Sequence, residues 1–113
     1  MIYHITTQKR WRLALDEGVY SPENLTSDGF IHCSTEKQVL EVANRLFHQE
    51  TDLLLLMIDE KLTVPEVVYE NLEGGGEKYP HIYGELNLEA VVKTASMHKD
   101  RQGNFVFPTF SLN

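Results

Sequence analysis

Leu53 to Ile58, the run Leu-Leu-Leu-Leu-Met-Ile enclosed by Asp52 and Asp59, is the longest apolar stretch in the chain and the segment that most restricts its fold. It lacks the alternation of a strand with one wet face, so a strand here must be covered on both faces. Composition alone also permits a helix, but the run is short, and shortness favours a central strand. The same run is far too short to span a bilayer. With 113 residues and 42% hydrophobic side chains, the chain can bury one modest core, and a single domain over residues 1–113 is expected.

The remaining elements follow from period and punctuation. Met1 to Ile5 reads as a first strand, and Thr6 or Thr7 can cap a helix with Trp11, Ala14 and Leu15 on a narrow apolar stripe, stopped at Gly18. Ser21 to Gly29 is rich in turn residues and predicts an ordered surface loop. A short strand, Phe30 to Cys33, precedes Thr35-Glu36-Lys37-Gln38, which has capping-box spacing. Val39, Val42, Ala43, Leu46 and Phe47 then recur at helical steps. Val67 to Glu70 and Ala90 to Met97 read as further strands, and the tail with Phe105, Val106, Phe107 and Phe110 reads as an edge strand. Gly74-Gly75-Gly76 lacks the spacing of a phosphate-binding loop and has no lysine-serine ending, so it is read as a plain loop.

Charge and cysteine count narrow the partners. Ten basic against 17 acidic side chains give a net charge of −7, which opposes steered binding to phosphate backbones or anionic lipid. Nucleic acid and membrane are therefore not expected partners. Cys33 is the sole cysteine, so an internal disulfide and a multiple-thiolate metal site are ruled out, and a reducing cytoplasm fits best. No basic segment followed by a long apolar stretch precedes the first strand, so no leader is expected.

Three histidines sit inside apolar runs: Tyr3-His4-Ile5-Thr6-Thr7, Phe30-Ile31-His32-Cys33-Ser34-Thr35 and Pro80-His81-Ile82-Tyr83-Gly84. Strand alternation turns each imidazole to the face opposite its neighbours, which suggests one shared pocket. Imidazole can donate, accept, move a proton near neutrality or ligate a metal. Each could equally be a buried structural histidine tied to a backbone carbonyl. Three imidazoles could hold zinc, but no His-x-Glu or His-Glu-x-x-His pair is present, and no metal is expected. Cys33 points away from His32 and reads as a small core residue, while His48 and His98 read as surface residues. Ser34 and Thr35 read as helix caps, and a helix start beside an imidazole also suits a phosphate or carboxylate. Glu70 and Glu85 are the carboxylates that could supply an acid or base.

At Tyr3 to Thr6, Gly29 to Thr35, Ala43-Asn44-Arg45 and Pro80 to Gly84 the chain resembles, over roughly residues 1 to 95, the domain-of-unknown-function family numbered 952. That family looks like a small relative of the ADP-ribosyltransferase fold. The resemblance implies an α+β fold with a small split antiparallel or mixed sheet, two main helices and a cleft that holds NAD. Tyr3-His4-Ile5-Thr6 is similar to the first-strand motif of the histidine-type transferases, where imidazole and a following hydroxyl hold the nicotinamide ribose, which implies that role for His4 and Thr6. Gly29 to Ser34 resembles their second motif. It implies His32 in place of the tyrosine that stacks on nicotinamide, as in the tRNA 2′-phosphotransferase branch. At the third position, where many transferases carry a glutamate, this chain offers His81.

These readings give His4, His32 and His81 as candidate catalytic residues, and His4, Thr6, His32, Ser34, Thr35 and Tyr83 as candidate ligand-binding residues. The expected ligand is NAD, ADP-ribose or a related phosphate-containing molecule, with ADP-ribosyl- or 2′-phosphate-transferase-like chemistry. The alternative is a noncatalytic ligand-binding or protein-interaction module whose acidic exterior meets a protein partner.

Overall fold

The computed structural model describes residues 1–72 and 74–110. In chain order its elements are β1 (Ile2–Thr7), α1 (Gln8–Glu17), β2 (Val19–Tyr20), α2 (Asn24–Asp28), β3 (Ile31–His32), α3 (Glu36–Leu46), β4 (Leu53–Ile58), β5 (Glu66–Glu70), β6 (Tyr79–Tyr83), β7 (Leu86–Asn87), a 3-10 turn (Leu88–Ala90) and β8 (Val91–Ser96).

The leucine run is β4, the middle strand of the sheet β1-β4-β8, antiparallel to both neighbours. Alternation divides it between two cores. Leu54, Leu56 and Ile58 pack with Ile2, Ile31, Ile82 and Leu86. Leu53 and Leu55 pack with Tyr3, Ile5, Val39, Ala43 and Phe105 on the other face. Polar alternation is absent because neither face of β4 meets water.

Two smaller sheets, β2-β7 and β3-β6-β5, complete the fold, and all registered strand pairs among the described residues are antiparallel. The sheet is split as expected, but no pairing is mixed. A parallel pair needs a crossover between neighbours in one sheet. Here α1 and α3 connect strands of different sheets, β1 to β2 and β3 to β4.

Local chemistry accounts for the helix ends. Thr7 is the cap of α1, its Oγ1 accepting from the Arg10 amide at 3.1 Å, and Gly18, at φ 83°, closes the helix with an N–H to Ala14 carbonyl bond. Trp11 and Ala14 meet the core, whereas Leu15 is 55% exposed, because one residue past Ala14 is about 100° further round the helix. At α3 the Thr35 amide donates to Gln38 Oε1 at 3.0 Å, and Val39 and Ala43 are fully buried.

Two segments depart from the sequence reading. The expected loop Ser21 to Gly29 contains α2, ended by Gly29 at φ 84°, and Leu25 anchors it to the core. Turn residues and cap residues are the same types, so composition could not separate a loop from a short capped helix. Among the described residues the tail is not an edge strand. It has only a bridge between Lys99 and Phe105, and Asn44 on α3 takes the strand partner's place. The Phe105 N–H donates to Asn44 Oδ1 at 2.7 Å, and Asn44 Nδ2 donates to the Phe105 carbonyl at 3.4 Å. No described helix is long and apolar enough to cross a membrane.

Candidate functional site

β1 is an edge strand, and its register decides what it presents. Tyr3 exchanges both main-chain hydrogen bonds with Ser34, at 2.8 Å each, so the Tyr3 amide and carbonyl point away from β4. In an antiparallel pair this direction repeats every second residue, and the Ile5 amide and carbonyl point the same way. Ser34 is thus a main-chain bridge and not a helix cap; Thr35 alone caps α3.

Ile2, His4 and Thr6 share the opposite alternation and face the first core. His4 Nδ1 donates to the His32 carbonyl at 2.6 Å, Nε2 lies 2.6 Å from Tyr20 Oη, and Tyr20 Oη lies 2.9 Å from Thr6 Oγ1. Burial lowers the imidazole pKa to about 4, with the nearby His32 and Arg10 adding to the shift against the carbonyl's opposing pull. The ring is neutral at pH 7. A carbonyl can only accept, so the single ring proton is on Nδ1, Nε2 accepts from the Tyr20 hydroxyl, and Thr6 then donates to Tyr20. Burial also pushes Tyr20 up to about 12, which keeps that hydroxyl proton in place.

His32 and His81 face each other across β3 and β6 in direct register. Their ring centroids are 5.6 Å apart, edge to face. Each is paired with a carboxylate: His32 Nε2 lies 2.9 Å from Asp28 Oδ2, and His81 Nδ1 lies 2.8 Å from Glu70 Oε2. The His32 side chain is 48% exposed and that of His81 is buried. Phe30 stacks on His81, centroids 4.0 Å and planes 22° apart. Tyr83 also donates to Glu70 Oε2, and this bond, followed by that of His81, holds the Glu70 carboxyl below the usual carboxylate range.

A cavity of about 390 Å³ runs along the open edge of β1. His4, His32 and His81 all line it, with Thr6, Ser34, Tyr20 and Glu70. Arg10 from α1 and Arg45 from α3 also reach its wall, each ion-paired with a glutamate, Glu23 and Glu41. Leu46 and Leu72, 61% and 59% exposed, form part of its apolar rim. Thr35 and Tyr83 lie outside the wall, and so does Glu85, which is exposed. Cys33 is 4% exposed, and burial pushes its thiol far up, so no thiolate is available. Among the described residues no group of three or more histidine, cysteine, aspartate or glutamate side chains could hold a metal ion.

Tyr20, Asp28 and the two arginines are the site residues that sequence reasoning missed. Tyr20 follows the Gly18 helix stop in a two-residue strand, too short for a periodic signal. Arg10 lies on a helix face with no motif of its own, and Arg45 stands in Ala43-Asn44-Arg45, a motif that carries the family resemblance but implies no role for the guanidinium.

The fold and its cavity define a small α+β protein with an edge-strand cleft. The family described as protein of unknown function DUF952 matches residues 5–94, and the chain belongs to it. The crystal structure of protein CC0527 from Caulobacter crescentus is similar at 28% identity with a TM-score of 0.83, covering 93% of this chain and 92% of that one. The solution NMR structure of CC0527 gives 29% identity and a TM-score of 0.80, with 91% and 89% covered. No curated protein matches the chain.

Proposed function

We propose that the cavity binds NAD, ADP-ribose or a related phosphate-containing ligand, with transferase-like chemistry at its histidines. The observation that carries this reading is the continuity of the cavity wall. Its volume falls within the range of small-molecule sites, and one wall joins the Ile5 main chain to His4, Thr6 and Tyr20. An outward amide and carbonyl on one residue match the acceptor and donor of a carboxamide such as nicotinamide. Arg10 and Arg45 supply positive charge for phosphate oxygens in a chain that is acidic overall. His32, half exposed and backed by Phe30 at 4.6 Å, is the imidazole free to stack on a bound ring. His4 has both ring nitrogens engaged, so it acts by fixing the Tyr20 and Thr6 hydroxyls at the cavity wall.

The test is titration of isotope-labelled protein with NAD and with ADP-ribose, followed by backbone and imidazole resonances. Saturable shifts clustered at His4, Ile5, His32, Ser34 and His81 are expected. Shifts scattered over the surface, or none at millimolar ligand, remove the reading. The engagement of both His4 nitrogens by protein groups favours a second reading, a noncatalytic module in which the same histidines are structural; that module binds neither nucleotide.

A further inference from the structure

His4 and His81 differ in a way that separates a structural histidine from a reactive one. Both nitrogens of His4 are bonded to protein. At His81 only Nδ1 is bonded, to Glu70 Oε2 at 2.8 Å. An ionised carboxylate can only accept, so Nδ1 carries a proton, and in the neutral ring Nε2 carries the lone pair. No buried side-chain nitrogen or oxygen among the described residues lacks a hydrogen-bond partner. Nε2, with no partner there, therefore reaches open space, and His81 forms part of the cavity wall. The pair is also held rigidly: Phe30 stacks on the imidazole and Tyr83 donates to the same carboxylate oxygen. This is a base oriented by a carboxylate, with an open nitrogen turned to a ligand-sized space.

We propose that Glu70 and His81 form a carboxylate–imidazole base that takes the proton of a hydroxyl group attacking the bound ligand, so that the acceptor is water or an alcohol. The proposal rests on the ligand reading above and adds the acceptor class. A hydroxyl is the acceptor that needs a general base at neutral pH, whereas a carboxylate acceptor is already deprotonated and would meet the charge of Glu70. Cys33 is buried and protonated, so its thiol is not a nucleophile there. In the step, the O–H proton passes to His81 Nε2 and the oxygen bonds to the carbon attacked. The displaced group leaves with the electron pair of its former bond. A nicotinamide leaving from ribose is neutral and needs no proton, so one base suffices, and the imidazolium then returns its proton to solvent. Glu70 is a positioning residue: it holds the Nδ1–H tautomer and stabilises the imidazolium that forms.

Three measurements test this. Long-range proton–nitrogen spectra of labelled protein should place the His81 proton on Nδ1; an Nε2–H tautomer in the wild type overturns the base without reference to any ligand. Incubation with NAD should release nicotinamide, and Glu70→Gln should lower kcat by roughly 10²-fold or more with KM unchanged. Turnover indifferent to Glu70→Gln, or NAD binding without nicotinamide release, overturns the base as well. ADP-ribose affinity, measured by calorimetry, tells the two readings apart: loss of the base leaves it intact, whereas failure of the ligand reading shows as no binding to the wild type at all.

Discussion

His4 Nε2 and Tyr20 Oη are 2.6 Å apart in a buried contact, and this bond ties the edge strand β1 to the segment that follows α1. Tyr20→Phe keeps the ring and its packing but leaves an imidazole acceptor and the Thr6 hydroxyl short of a partner. The expected loss is about 1–3 kcal/mol, the usual cost of stranding a buried polar group. Urea denaturation at pH 7 checks this, with a midpoint equal to wild type as the contrary result.

The same histidine makes stability depend on pH. Its folded pKa, about 4, lies below the value of 6.5 for a free imidazole. In the interval between them the unfolded chain binds the proton and the folded chain does not, so acid favours unfolding. The contribution is fully present above pH 6.5 and declines as pH falls toward 4, by about 3 kcal/mol at most, taking 1.36 kcal/mol per pKa unit. Glu70, with its carboxyl held low, loses its contribution only at more acid pH. Unfolding free energies measured from pH 7.5 to 4.5 should slope downward, and His4→Gln should flatten that slope even though it is less stable throughout.

Leu55 is buried completely in the middle of β4, between β1 and β8. Leu55→Ala should cost about 2–5 kcal/mol through lost transfer energy and the cavity left behind. A thermal scan showing no fall in Tm would mean that the second core does not rest on this strand.

Asn44→Ala removes both main-chain partners of Phe105 while leaving α3 a good helix former in exchange. We expect a net loss of about 1 kcal/mol and, more tellingly, faster hydrogen exchange at the Phe105 amide than at the amides of β4. Equal acceleration everywhere would indicate global rather than local opening.

How much of this was legible in the sequence varied with the length of the signal. The leucine run, the Thr35 to Gln38 cap and the Gly18 stop are local devices, and each formed where its residues stand. Strand alternation was enough to turn Cys33 into the core and His32 out of it. The tail failed as a strand because both main-chain hydrogen bonds of Phe105 go to a side chain on α3, a long-range arrangement that no period encodes. Tyr83, a ligand-binding candidate in the sequence, lies outside the cavity wall, and its hydroxyl donates to Glu70. Glu70 itself stood among many carboxylates of an acidic chain. Only the pairing of β5 with β6 brought it to the His81 ring.

Cys33 gives the molecule a clock. It is the sole thiol, enclosed in the first core, and it stays protonated while enclosed. With Cys33 4% exposed and its thiol held protonated, an alkylating reagent reaches sulfur mainly in molecules whose core has come apart. When reclosing outpaces labelling, the rate at which the thiol disappears reports the fraction of molecules open at any instant; when the reagent is fast, it reports how often they open. Both quantities become measurable in native buffer, on unmodified protein, without a denaturant or an introduced probe.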